Sequence, residues 1–169
     1  GYYYFTASYP MRGAKDKDGY DRIILRKAKT IEGLKTAEEK TVWDESSSKI
    51  SHRFIWAPEM HYIGGKWYLY YAASSSPNNV WDINCHVLMC TGDDPYNGQW
   101  EEKGKFQAAN GDTISFTGFS LDMTYFECNG KSYVIWAQKV GNSNLYMAET
   151  DPAEPWKTTT KAMLLTKPE

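Results

Sequence analysis

Apolar and aromatic positions alternate with polar ones in short runs along this chain, and turns rich in glycine or asparagine separate the runs. The densest run covers residues 53–76. It holds a Trp-Ala-Pro turn at 56–58, a short strand at 59–63 and a Trp- and Tyr-rich strand at 66–73. The Gly-Gly pair between the two strands supplies the positive φ of a two-residue hairpin turn, and Trp and Tyr suit a pleated, half-buried surface. The sequence therefore predicts a β-hairpin here.

This unit is repeated. Glycines at positions 1, 65 and 130 each open an aromatic strand. A loop and a further strand follow, at 21–28, 85–90 and 144–149, and then a turn and a short fourth segment, at 41–43, 100–102 and 161–165. The second and third units also have a preceding strand, at 59–63 and 123–127, which the first unit lacks.

Four antiparallel strands in a repeated unit are typical of a β-propeller blade. The chain is therefore predicted to be all-β, a single partial propeller of about three blades with the first blade incomplete. The predicted blades are I at about 1–50, II at about 51–112 and III at about 113–169. No convincing helix is found, and the best helical window, 31–40, contains a glycine and is interpreted as a loop.

Three polar segments, at 10–21, 74–82 and 110–118, are predicted to be loops. The second carries Trp81 within a polar tract. An aromatic ring in such a place either packs at the rim of a blade or serves as a platform for a substrate. The sequence leaves both roles open.

Composition narrows the class of partner. The net charge is −2, which argues against general binding to nucleic acid or to an anionic membrane surface. No run of about 20 apolar residues is present, so no membrane-spanning helix is expected. Gly1 opens directly into a strand without a signal peptide, and the chain looks truncated, so the sequence does not indicate a compartment.

The cysteines and histidines do not predict a metal site. Cys85 and Cys90 are five apart on one strand and should face opposite sides, so they should not form a disulfide. His52, His61 and His86 lack metal-ligand spacing, and His61 is expected to be a packed residue. No phosphate-binding loop and no Gly-x-Ser-x-Gly motif is present, so neither a cofactor nor a metal is expected.

One family has this set of segments in this order. The segments are 2–8, 20–34, 55–71 with its WAPE motif, 81–83, 119–122, 136–139 and 141–146. Together they resemble glycoside hydrolase family 43, and most closely its α-L-arabinofuranosidase-type members. The similarity covers nearly the whole chain, and the ordered set is far more specific than any one segment.

The resemblance implies a five-bladed propeller with an axial active site and inverting hydrolysis of arabinose- or xylose-containing plant saccharides. In such a reaction one carboxylate activates water, while a carboxylic acid about 6.5–9.5 Å away protonates the leaving oxygen. A third, auxiliary carboxylate helps, and it matches Asp122 in the segment 119–122. The base, in an Asp-Pro context upstream of Gly1, and the acid, in a Glu-Gly-Pro context, have no counterpart, so the isolated chain is expected to be inactive.

The same resemblance gives candidates for substrate binding, namely Trp56, Phe119 and Trp81. Trp56 either contacts the sugar or packs its blade, and Asp122 either serves the site or only bonds backbone amides. In the repeat Ala57 aligns with Asp122, so Glu59 lies two residues further along its strand and is expected to have a structural, hydrogen-bonded role.

Two functions therefore remain open. The chain belongs to an arabinofuranosidase or β-xylosidase, or it is a non-catalytic carbohydrate-binding partial propeller. In either case the open sheet edges are expected to cause self-association or to be covered by the missing remainder of the propeller.

Overall fold

The structure is a computed structural model that describes residues 1–10, 19–51 and 53–168. It contains eleven strands in this part of the chain: β1 Tyr3–Ser8, β2 Arg22–Ala28, β3 Glu39–Asp44, β4 Arg53–Ile63, β5 Lys66–Ser74, β6 Ile83–Cys90, β7 Trp100–Lys105, β8 Ser120–Cys128, β9 Lys131–Val140, β10 Asn142–Thr150 and β11 Met163–Thr166. Most of the predicted loop 10–21, together with His52 and Glu169, lies outside the described residues.

The strands form three antiparallel sheets, in the orders β1-β2-β3, β4-β5-β6-β7 and β8-β9-β10-β11. The predicted all-β class is confirmed. The glycine-led aromatic strands are β1, β5 and β9, so the first sheet lacks, within the described residues, the counterpart of β4 and β8. We call β4 and β8 the inner strands, following the blade pattern predicted from the sequence.

The hairpin between β4 and β5 forms at the predicted glycines. Gly64 and Gly65 have φ values of 57° and 85°, and Ile63 pairs directly with Lys66. Both central residues of a type I′ turn require positive φ, which glycine adopts without steric cost. The sequence prediction of this turn is therefore confirmed.

Two local predictions need correction. Residues 56–58 lie inside β4, which begins at Arg53, because extra residues are taken up as bulges and the strand continues through them. The window 31–40 is also not all loop: Glu32–Lys35 form one turn of 3-10 helix, and β3 already begins at Glu39.

Two apolar layers hold the sheets together, one on each face of the second sheet. Alternate residues of β5 point in opposite directions, so Tyr68 and Tyr70 pack toward the third sheet while Leu69 and Tyr71 pack toward the first. Cys85 and Cys90 lie in different layers and are free thiols, as predicted from their spacing.

The same end of each sheet gathers on one side of the molecule. The Ile55 amide donates to the Tyr20 carbonyl just before β2 (2.8 Å), and the Ser120 hydroxyl at the start of β8 donates to Asn84 near the start of β6 (3.2 Å). We call this side, which holds the first residues of β4, β6 and β8, the site end. No helix in the described part of the chain is long and apolar enough to cross a membrane.

Candidate active site

The inner strands carry matching irregularities near the site end. On β4 the register passes from Trp56 to Glu59 with one residue more than on β5, and on β8 it passes from Leu121 to Thr124 with one residue more than on β9. These are β-bulges at positions that the repeat alignment makes equivalent. The repeat inferred from glycine spacing therefore extends to the backbone of the inner strands.

Asp122 lies within the bulge of β8 with a positive φ of 53°. Its side chain is exposed, and its carboxylate has no hydrogen-bond partner in the part of the chain that the structure describes. The alternative role in which Asp122 only bonds backbone amides is therefore not what the structure contains. A left-handed conformation is unfavourable for a residue other than glycine, although Asp tolerates it better than most.

The protonation of Asp122 is biased by its surroundings. Desolvation by nearby protein atoms raises the pKa of its carboxyl above the ordinary value, and the negative charge of Glu59 adds to this. A carboxylate whose ionisation is opposed by another carboxylate is a common feature of hydrolytic sites.

Glu59 is hydrogen-bonded, as the sequence predicted. The His61 Nε2 atom lies 3.1 Å from a Glu59 carboxylate oxygen. The hydrogen bond with His61 is the largest contribution to the lowered pKa of Glu59. It outweighs desolvation, which by itself would raise that pKa. Glu59 and Asp122 therefore have pKa values shifted in opposite directions.

Trp56 packs with two aromatic residues rather than with the other candidates. Its ring lies 5.5 Å from the ring of Tyr20 and 6.0 Å from that of Phe54, both near edge-on. The indole Nε1 is buried and has no hydrogen-bond partner within the described residues. The ring thus has a packing role, and its indole donor remains free to bond a group from outside the described chain.

Trp81 and Phe119 meet at the site end. Their ring centroids are 5.5 Å apart, and the Lys139 Nζ atom lies 4.6 Å from the centroid of the Trp81 ring. Trp81 is 63% exposed, while Phe119 is half-buried just before β8. Asn79 fixes the turn, since its side-chain oxygen accepts a hydrogen bond from the Trp81 amide. The sequence named both rings but gave no sign that they would touch.

Two residues of the site end were missed by sequence reasoning. Tyr20 and Phe54, the ring neighbours of Trp56, have φ values of 57° and 58°. Positive φ in bulky residues is rare, and such backbone strain is concentrated at functional sites. Tyr and Phe rarely adopt a positive φ, so the sequence contains no signal that identifies these two residues.

His61 and His86, the two histidines that the structure describes, do not contact each other. His61 lies on β4 between the rings of Tyr70 and Tyr125, at 5.3 and 5.9 Å, as the expected packed residue. His86 is buried on β6 beside Ser51 and Tyr71. Within residues 1–10, 19–51 and 53–168, no three His, Cys, Asp or Glu side chains are placed to hold a metal ion together.

Comparison with known proteins decides the family. The sequence pattern of "Glycosyl hydrolases family 43" matches residues 1–169. The chain belongs to glycosyl hydrolase family 43. This family 43 chain is 42% identical over 160 residues to an extracellular exo-α-(1→5)-L-arabinofuranosidase of Streptomyces avermitilis, with 92% of the chain and 30% of that relative covered. It is 40% identical over 173 residues to a protein of the same name from Streptomyces chartreusis, with 100% of the chain and 48% of the relative covered.

Solved structures of other proteins are similar to this chain as well. An α-L-arabinofuranosidase from Lactobacillus brevis shares 39% identity with the family 43 chain at a TM-score of 0.82, covering 100% of the chain and 51% of that structure. An endo-arabinase from Bacteroides thetaiotaomicron shares the fold at 16% identity and a TM-score of 0.67, covering 98% of the chain and 51% of that structure. The fold is therefore propeller-like, and the chain spans about half or less of the length of these relatives.

Proposed function

We propose that this chain is part of a glycoside hydrolase that cleaves arabinose-containing saccharides with inversion, most simply as an α-L-arabinofuranosidase. The names of its relatives support the reaction and the sugar. The observation that carries the proposal is Asp122, an exposed carboxylate without a hydrogen bond in the described chain, on the bulge of an inner strand at the site end. β-Xylosidase activity is the variant of the same proposal that an assay must separate.

In this proposal Asp122 is the auxiliary carboxylate. An inverting hydrolase needs a base that activates water and an acid that protonates the leaving oxygen, about 6.5–9.5 Å apart. A third carboxylate beside the acid keeps that acid protonated, because a nearby negative charge disfavours its ionisation. Asp122 performs this role when it is itself ionised, and it holds the acid in position.

In this proposal the catalytic base and the catalytic acid are residues of the enzyme that lie outside this 169-residue chain. The sequence has no Asp-Pro on a first inner strand and no Glu-Gly-Pro motif. We therefore expect the three sheets to be blades I (about 1–50), II (about 51–112) and III (about 113–169) of a five-bladed ring. The 169-residue chain by itself is expected to be inactive.

The substrate is expected to lie against the aromatic residues of the site end. Trp81 and Phe119 together offer an apolar platform of the kind on which the face of a sugar ring packs. The free indole Nε1 of Trp56 is a hydrogen-bond donor that a sugar hydroxyl can satisfy, and an unpaired buried donor has a free-energy cost.

The test uses an enzyme that contains this chain within its complete propeller. Asp122→Asn is expected to lower kcat on an aryl α-L-arabinofuranoside by about 10²-fold or more, within the range for groups that assist proton transfer. Glu127→Gln, on the exposed far end of β8, is the matched control and should leave the rate unchanged. Unchanged turnover in Asp122→Asn, or a preference for the aryl β-D-xyloside, would refute the corresponding part of the proposal.

A second function rests on the exposed Trp81 ring. A partial propeller that keeps its aromatic residues can bind a saccharide without cleaving it. Calorimetric titration of the complete propeller with arabino-oligosaccharide, together with an assay of its hydrolysis, separates the two. Binding without turnover by an assembled propeller supports a binding module, whereas turnover supports the enzyme.

Association is a separate expectation. β1 lies at the edge of its sheet, with Tyr3 and Phe5 nearly half exposed, and β11 exposes Met163 and Leu164. Open strand edges with apolar side chains favour pairing with another chain. We therefore expect the chain to self-associate or to bind the rest of its propeller. A monodisperse monomer in light scattering would contradict this expectation.

A further inference from the structure

The two rings of the proposed sugar platform come from different sheets. Trp81 lies in a turn of 3-10 helix at Val80–Asp82, directly before β6 of the second sheet. Phe119 directly precedes β8 of the third sheet. The contact between the rings, with centroids 5.5 Å apart, therefore depends on how the start of β6 is placed against the start of β8.

A buried hydrogen bond joins these two strands beside the rings. The Ser120 hydroxyl donates to the side-chain oxygen of Asn84 at 3.2 Å. Ser120 is 0% exposed and directly follows Phe119 in the chain. Asn84 is 3% exposed and lies three residues after Trp81. Because a buried polar group that loses its partner has a free-energy cost, this bond favours one fixed separation of the segments that carry the rings.

The turn that carries Trp81 is held to the second sheet. Ser74, the last residue of β5, is fully buried, and its hydroxyl donates to the Asn79 carbonyl at 2.7 Å. The Asn79 side chain in turn accepts from the Trp81 amide at 3.1 Å, and the Asp82 carboxylate accepts from the Ser75 hydroxyl. The Trp81 ring is therefore placed by the second sheet rather than by a loop that moves on its own.

Phe119 is held to the third sheet. The Lys139 amide on β9 donates to the Phe119 carbonyl at 2.9 Å, and the buried Gln138 side chain accepts from the Phe116 amide at 2.8 Å. The Lys139 ammonium also reaches the second sheet, 4.6 Å from the centroid of the Trp81 ring, but its side chain is exposed. The Ser120 bond is the buried and directional link between the sheets at this point, so it sets the distance between the rings.

We propose that Ser120 is a positioning residue for sugar binding: its bond to Asn84 holds the two rings together as one platform. The inference rests on the proposed function, in which Trp81 and Phe119 pack against the sugar. Ser120 does not touch the sugar in this role and acts only through the placement of the rings. Since Ser120 lies on the same strand as Asp122, the test separates an effect on binding from an effect on the chemical step.

The first test observes the rings without substrate. The complete enzyme is labelled with fluorotryptophan, and the fluorine resonance of Trp81 is identified by its absence in Trp81→Phe. Phe119→Ala should move this resonance, because the magnetic field of the neighbouring ring is removed. Ser120→Ala should move it in the same direction, because the rings separate. Asn84→Ala removes the acceptor of the same bond and should reproduce the change, so the test does not depend on one variant.

The second test is the steady-state hydrolysis of arabino-oligosaccharide by the complete enzyme. Ser120→Ala should raise KM about threefold to tenfold, the size expected for the loss of one hydrogen bond, and should change kcat by less than about twofold. In a Trp81→Ala background, Ser120→Ala should have no further effect, because the platform is already lost. A full further rise of KM in that background would overturn the inference.

Ser132→Ala is the matched control, since it removes a buried hydroxyl, bonded to the Tyr125 hydroxyl, near the other end of the third sheet. It should change neither the fluorine resonance nor KM. An unmoved resonance in Ser120→Ala, an equal rise of KM in Ser132→Ala, or a fall in kcat at unchanged KM overturns the inference. The last outcome would show that Ser120 acts on Asp122 and not on the rings.

The inference and the proposed function can fail separately. If the complete propeller does not hydrolyse the saccharide, the proposed enzymatic function fails, and calorimetric binding takes the place of KM in the same comparison of Ser120→Ala with Ser132→Ala. If it hydrolyses the saccharide but Trp81→Ala leaves KM unchanged, the platform and the role of Ser120 are both rejected while the hydrolase assignment stands.

Discussion

Ala57 and Asp122 adopt the same left-handed backbone conformation at the same point of two successive inner strands, with φ values of 43° and 53°. Each lies in a bulge where the inner strand has one residue more than its partner strand. The repeat thus preserves a strained backbone while it changes the side chain from a methyl group to a carboxylate. The fold supplies the position, and only the third sheet places a charged group there.

The strain of the left-handed backbone at Ala57 can be measured by replacing this residue with glycine. Glycine adopts positive φ freely, whereas other residues lose about 1–2 kcal/mol there. Ala57→Gly should therefore raise the free energy of unfolding in urea by up to about 1 kcal/mol, once the added chain entropy of glycine is counted. Ala73→Gly, at a buried position of β5 without positive φ, is the control and should destabilise the chain. A loss of stability in Ala57→Gly would show that the bulge is not strained.

Trp81 offers a direct test of the aromatic platform. In an enzyme with the complete propeller, Trp81→Ala should weaken calorimetric binding of arabino-oligosaccharide about tenfold, equivalent to about 1.4 kcal/mol. The ring is 63% exposed, so unfolding should change by less than about 0.5 kcal/mol. Tyr62→Ala removes a ring that is 61% exposed near the opposite end of β4 and should not affect binding. Equal losses in both variants would exclude a specific platform at Trp81.

Asp112 stabilises the loop between the second and third sheets. Its carboxylate accepts hydrogen bonds from the amides of Ile114 (2.8 Å) and Ala162 (2.9 Å), and from the amide and hydroxyl of Ser115 (3.0 and 2.6 Å). Desolvation alone would raise the pKa of Asp112, but these bonds lower it to about 2. Asp112→Ala should reduce the free energy of unfolding by about 1–3 kcal/mol at pH 7.

The pH dependence of the free energy of unfolding follows from the same hydrogen bonds to the Asp112 carboxylate. The folded pKa of Asp112 is below its ordinary value of 3.8, so its contribution is complete above about pH 4 and is lost as the pH falls toward 2. Urea unfolding of the Asp112→Asn variant should show less loss over this interval than the parent. Asp151→Ala is the control and should cost less, because the Asp151 carboxylate accepts a hydrogen bond from the Ala153 amide at 2.9 Å and lacks the network that surrounds Asp112. Equal costs at the two positions would contradict this account.

His86 should destabilise the fold in mild acid. Burial, with the nearby Lys105 charge, lowers the pKa of its imidazole from 6.5 to about 4. The folded state therefore favours neutral His86, and this contribution is complete above about pH 6.5 and is lost as the pH falls through 4. The loss is on the order of 3 kcal/mol at most, at about 1.4 kcal/mol per pKa unit.

Urea unfolding measured between pH 7 and pH 4 checks this expectation. His86→Phe removes the titrating group and should flatten the dependence over that interval, even if it changes the stability at pH 7. The interval does not overlap the one assigned to Asp112, so the two effects can be separated in one series. An unchanged slope in His86→Phe would assign the acid sensitivity to other groups.

Much of the fold was predictable because it depends on local patterns. Glycine at 64 and 65 dictates a tight turn, and alternate residues of β5 enter two apolar layers because successive side chains of a strand point to opposite faces. The equivalence of Ala57 and Asp122 followed from glycine spacing alone. The positions of the bulges did not follow from the sequence, because Phe54 and Ala57 are not residue types from which a positive φ is expected.

The candidate site was only partly predictable. The sequence identified Asp122, Trp56, Trp81 and Phe119 one at a time, but their neighbours come from other strands and loops. That Trp81 touches Phe119, while Trp56 packs on Tyr20 and Phe54, depends on how the sheets are stacked. Aromatic side chains pack equally well in an apolar core and in a binding cleft. The residue type alone therefore does not show which neighbours each ring contacts.

The sequence by itself determined the strands, their grouping into repeated units and the family, since these depend on periodicity, turn residues and ordered motifs. Only the tertiary structure decided that Glu59 would be bonded by His61 and that its negative charge would help to raise the pKa of Asp122. The electrostatic coupling of two carboxylates depends on their separation and surroundings, and residues 63 positions apart acquire both only when the sheets pack.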